Sequence, residues 1–131
     1  MKYYYTTLLA IFLTFPSLAQ LNMSLVGQLP YQDSTGFVRE LSDIWGYEDE
    51  NGNEYALVGV FDGFSVVDCS DPANPVEVFF ESGPQSTWRD VKVWNDHAYV
   101  TTEGGAGLLI VDLSPLPQSS NLTVTYFTGN E

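Results

Sequence analysis

The sequence predicts an all-β chain built from four-stranded antiparallel units, and three observations carry that prediction. After residue 20, no window of helix length places apolar residues at three- and four-residue spacing. Short runs of Val, Leu, Ile, Tyr, Phe and Trp alternate instead with Gly, Pro, Asn and Asp, the punctuation of strands and turns. The chain also resembles itself at a spacing of about 45 residues. With 131 residues the chain has room for one ordinary domain, and at 44% hydrophobic and 15% aromatic it can bury a core.

The first nineteen residues stand apart from this pattern. MKYYYTT carries Lys2, LLAIFLTF is an apolar run much shorter than the roughly 20 residues a membrane helix needs, and PSLAQ offers small residues at Ser17 and Ala19. These are the parts of a secretory leader (residues 1–19) cleaved after Ala19, with a short membrane anchor as the alternative. No other segment is long and apolar enough to span. Export to the extracellular space or the cell surface is the expected localisation. Removing Lys2 leaves three basic side chains, Arg39, Arg89 and Lys92, against 17 acidic ones, a formal charge of −14. Such a surface is a poor partner for nucleic acid or anionic lipid, whose affinity comes from cationic side chains. Cations, carbohydrates and basic proteins remain open as partners. The one cysteine, Cys69, forms no internal disulfide, so packing alone must stabilise the fold.

Nine strands are expected: Ser24–Leu29, Ser42–Tyr47, Tyr55–Phe61, Phe64–Asp68, Val76–Glu81, Trp88–Trp94, Ala98–Glu103, Leu108–Asp112 and Leu122–Thr128. Asn51-Gly52, Asp62-Gly63 and Asn95-Asp96 tolerate the positive φ of tight turns, so each predicts an antiparallel hairpin. Aligning LSDIWGYEDENGNEYALVGVFDGFSVVDCSDP with WRDVKVWNDHAYVTTEGGAGLLIVDLSP matches Asp43 with Asp90, Ala56 with Ala98, Gly63 with Gly107 and Asp68 with Asp112. The length differences fall in the Glu50–Glu54 and Glu103–Gly107 turns, where insertions cost little.

A further element occurs three times, as NMSLVGQLP from Asn22, NPVEVFFESG from Asn74 and NLTVTYFTGN from Asn121. The repeat therefore has four strands, of which this interleaved one is the first. SVVD and LLIVD are continuously apolar, as in strands covered on both faces, whereas VEVFFE and LTVTYF mix polar and apolar residues, as near an edge. Four short antiparallel strands per repeat is the sequence form of a propeller blade. The expected architecture is a β-propeller-like series of four-stranded antiparallel blades, about two complete blades plus the first strand of a third. Propellers close with roughly four to eight blades, so residues 20–131 are expected to be the N-terminal part of a larger propeller, truncated at the C-terminus. The alternative is a nine-stranded β-sandwich.

GFSVVDCSDPANPVEV and GLLIVDLSPLP resemble the LVIVD repeat of bacterial extracellular propellers. ELSDIWGYEDENGNEYALVG with TWRDVKVWNDHAYVTTEGGAGLLIVDLS resembles the N-terminal region of the choice-of-anchor B family, over nearly all of the chain from Leu21. The resemblance implies a secreted or surface-attached β-propeller whose relatives differ in a C-terminal anchoring device. No such device is recognised here, and the family brings no catalytic residues.

Candidate sites are few. Cys69 matches Leu113 in the second repeat and reads as a packing residue, and the lone His97 matches Tyr55 and cannot form a metal site by itself. Asp43 and Asp90 should lie at similar heights in adjacent blades and line one face together with Glu40, Arg89 and Glu103. Paired carboxylates could serve glycoside hydrolysis if about 5 to 10 Å apart, although equivalent Asp residues in repeats more often cap backbone amides. The loop holding Asp49, Asn51, Asn53 and Glu54 concentrates oxygen ligands and is a candidate Ca²⁺ site, but Gly52 comes too early for an EF-hand. Trp45, Trp88 and Trp94 could stack on sugars, though large aromatics between blades are usually core. Two function classes follow: a non-enzymatic binding or adhesion scaffold for an extracellular protein or glycan, and a secreted hydrolase or lyase with a carboxylate-lined site at the propeller channel, mostly outside this segment.

Overall fold

The computed structural model describes residues 23–32 and 35–129. The expected leader, residues 1–19, lies outside the described residues. Eight strands form two four-stranded antiparallel sheets, and the described residues contain no helix. The first sheet runs β1 (Leu41–Glu48), β2 (Glu54–Val60), β3 (Gly63–Asp68) and β4 (Val76–Ser82), in that order. The second repeats the meander as β5 (Val91–Trp94), β6 (His97–Val100), β7 (Leu108–Asp112) and β8 (Val124–Phe127).

All three expected hairpins form, but Asp62-Gly63, between β2 and β3, turns without the positive φ expected of it. Asn95 and Asp96, both at positive φ, reverse the chain between β5 and β6, and Gly52 at φ 81° does so between β1 and β2. Tyr55 pairs with Asp68 and His97 with Asp112, so the two repeats align as their sequences do. SVVD is buried along its apolar length, whereas β4 and β8 occupy sheet edges and are mostly half-buried or exposed.

The unit differs in phase from the sequence reading. The interleaved strand does not begin a repeat; it pairs with the SVVD or LLIVD strand that precedes it and closes that sheet. Leu122–Thr128, expected to open a third blade, supplies β8, so two sheets are complete within the chain. Ser24–Leu29 is not a strand, because no strand among the described residues lies alongside to complete its ladder.

The sheets stack face to face. Tyr55, Leu57, Phe64 and Val66 of the first pack against Ala98, Val100, Leu109 and Val111 of the second. Leu113, Leu116 and Leu122, from the connection between β7 and β8, complete this core. The opposite face of the first sheet buries Val58, Val60 and Val67 beneath Leu29 and Tyr31 of the N-terminal segment. Cys69 packs at the margin of this cluster, as its match to a leucine predicts.

Candidate functional site

Hydrogen bonds tie the sheets together at both ends of the strands. Where β1 and β5 begin, the Asp43 carboxylate accepts the Val91 backbone N–H at 2.9 Å and lies 3.4 Å from Lys92 Nζ. The Val91 N–H, joined by that of Ile44 and by Lys92, holds the Asp43 carboxyl below the ordinary aspartate value of 3.8 despite some burial. At the other end, the Tyr47 hydroxyl donates to Asp96 Oδ1 at 3.1 Å. Burial, reinforced by the Asp96 charge, pushes Tyr47 up to about 12.

Arg89 is 5% exposed. Its Nε donates to the Val60 carbonyl at 2.8 Å, and one terminal nitrogen reaches the carbonyls of Phe61 and Pro84. The guanidinium therefore ties the β2–β3 turn to the connection between the sheets. Burial lowers its pKa, against the opposing pull of Asp62.

Around this clamp, the β4–β5 and β6–β7 connections form two neighbouring open grooves at one end of the sheets. The first, of about 440 Å³, is lined by Leu41, Ser42, Asp43, Thr87, Trp88 and Asp90, with Arg89 at its base. The second, of about 340 Å³, continues from Trp88, Arg89 and Asp90 to Thr101, Thr102 and Glu103. Asp43, Arg89, Asp90 and Glu103 line these grooves at one end of the sheets. Glu40 lines neither groove; its carbonyl accepts the Phe61 N–H at 2.9 Å.

The sequence offers Trp88 both as a ring able to stack on sugars and as a core aromatic, and the structure decides between these in favour of exposure. Expected in a core strand, Trp88 lies before β5 and is 68% exposed where the two grooves meet. Trp94 is 73% exposed and Trp45 40%, so none of the three tryptophans is core within the described residues. The only available signal was that Trp88 follows Gly83-Pro84-Gln85-Ser86-Thr87, a run that reads as loop.

The loop proposed for Ca²⁺ lies at the opposite end. Asp49 Oδ1 accepts the N–H groups of Asn51 and Asn53, at 2.8 and 3.0 Å, and Oδ2 accepts Asn53 Nδ2 and the Tyr55 hydroxyl. Burial raises the Asp49 pKa, but these donors outweigh it and the net shift is downward. Both oxygens therefore face N–H and O–H donors, the geometry of a turn cap. Among the described residues, no group of three or more His, Cys, Asp or Glu side chains is arranged to hold a metal ion.

A search of the curated proteins and one of the solved structures found no significant match. The family model described as LVIVD repeat matches residues 42–80 and 87–128, which together take in more than half of the chain. The first match spans β1 into β4 and the second β5 through β8, so each covers one observed sheet. The chain belongs to the LVIVD repeat family.

Proposed function

We propose that this protein is an exported, surface-exposed propeller that acts as a non-enzymatic binding or adhesion scaffold for an extracellular glycan or protein. Residues 1–19 would serve as its leader, and residues 20–131 as the N-terminal part of a longer choice-of-anchor B type chain. The observation that carries the binding reading is Trp88, a large apolar ring left in solvent between two open grooves and flanked by Asp43, Asp90, Glu103 and three threonines. An exposed aromatic edged by hydrogen-bonding groups suits a sugar face or an extended peptide. General acid catalysis would need a carboxylic acid with a raised pKa, whereas Asp43 is held ionised as the bolt between sheets. That difference favours recognition over hydrolysis.

The test is a binding screen of the secreted chain against immobilised glycans and extracellular matrix proteins, followed by Trp88→Ala. Because Trp88 is mostly exposed, the variant should keep its melting temperature and lose affinity at least about tenfold. Unchanged binding by Trp88→Ala, or turnover of a bound glycan, would remove this reading.

A further inference from the structure

Two tryptophans of this chain stand beside carboxylates, and one of them already holds a cation. Lys92 Nζ lies 4.3 Å from the centroid of the Trp45 ring and 3.4 Å from Asp43 Oδ2. The ammonium thus sits between an aromatic face and a negative charge, each of which attracts it. Trp88 has the same chemistry around it without the cation. Its ring is 68% exposed, and the groove in which it lies is bounded by Asp90 and Glu103. Among the described residues, neither of these two carboxylates forms an ion pair or accepts a hydrogen bond, and no cation or second ring lies over Trp88.

The ring is also held in place. Ser86 Oγ accepts the Trp88 N–H at 3.1 Å and donates to the Trp88 carbonyl at 2.9 Å. Arg89, the next residue, is fixed by its bonds to the carbonyls of Val60, Phe61 and Pro84. The backbone that carries the indole is therefore ordered before anything binds, which lowers the entropic cost of binding. The local charges are unevenly matched. Lys92 has Asp43 as its partner, and the buried Arg89 has Asp62 facing it. Asp90 and Glu103 are left over, on a chain whose formal net charge is −13.

We infer that Trp88, Asp90 and Glu103 receive a lysine side chain of an extracellular protein. This rests on the reading of the Trp88 grooves as a binding surface and names the chemistry that they recognise. The four-carbon stem of the lysine lies along the indole while its ammonium reaches the carboxylates, as Lys92 does with Trp45 and Asp43. Lysine fits this arrangement better than an amino sugar. An amino group in the plane of a stacked sugar ring lies beside the indole, whereas a flexible stem can carry its ammonium over the aromatic face. The partner is thus a basic protein, complementary in charge to this chain.

A fluorescent peptide of alternating Lys and Gly, titrated onto the full chain by anisotropy, probes the site. Trp88→Ala should weaken its binding at least about tenfold, and Asp90→Asn combined with Glu103→Gln at least about fivefold. Acetylating the lysines of the peptide, which removes their charge, should weaken binding at least about tenfold. Glu48→Gln combined with Glu50→Gln removes the same charge at the opposite end of the sheets and should change the affinity less than about twofold. All five substituted residues are exposed, so an unchanged melting temperature checks that each variant folds. The inference is overturned if the Glu48 and Glu50 changes weaken binding as much as the Asp90 and Glu103 changes, because the attraction is then only that of net charge. It is also overturned if the Lys peptide does not bind, or binds Trp88→Ala as tightly as the native chain. A glycan, chitosan oligosaccharides included, that binds through Trp88 while the Lys peptide does not would overturn it and leave the scaffold reading standing. Loss of Trp88 dependence for every ligand would remove both.

Discussion

The Asp43 carboxylate accepts the backbone N–H of Val91 at 2.9 Å, joining the first strand of one sheet to the first strand of the next. Replacing Asp43 by Ala leaves that N–H unpaired beside a side chain only 31% exposed, and should cost about 1–2 kcal/mol. The folded pKa is depressed, so the carboxylate's contribution is present above the unfolded value of 3.8 and disappears as pH falls through the folded value. Denaturant unfolding of the native chain and Asp43→Asn across pH should show a constant stability gap above about pH 5 that closes under acid. A gap that widens under acid would contradict the bond.

Arg89 should be the most sensitive polar residue of the fold. Arg89→Met removes the donor shared by the carbonyls of Val60, Phe61 and Pro84, at about 2–4 kcal/mol in chemical denaturation. Arg89→Lys should recover little of this, because a single ammonium cannot reproduce the planar fork.

At the far end, Asp49→Ala should lower the melting temperature by uncapping the β1–β2 turn. Its depressed pKa places this contribution above pH 3.8, lost as the carboxylate protonates. Millimolar calcium chloride should leave the melting temperature of the native chain unchanged, as the Asp49 oxygens already face donors.

Cys69→Leu installs the residue that the second repeat carries at the same place. Cys69 is half-buried beside Val67, and an open groove lies next to it. The larger side chain should fit, with thermal unfolding shifted by no more than about 1 kcal/mol in either direction.

Local chemistry explains which parts of the fold were legible. The continuous apolar run of SVVD needed cover on both faces and has it; Asn95-Asp96 carries the positive φ its residues tolerate. The repeat offset found by alignment reappears as Tyr55 against Asp68 and His97 against Asp112.

By itself the sequence determined the strand-and-turn alphabet, the four-stranded repeat and the identity of Cys69 as a packing position, because periodicity and turn preference act over a few residues. Only the tertiary structure decided that the interleaved strand closes a sheet rather than opening one, that Asp43 reaches Val91, and that Arg89 sinks among carbonyls while Trp88 stays in solvent. The reason is physical: a strand has two edges and two faces, and which of them is filled depends on partners tens of residues away.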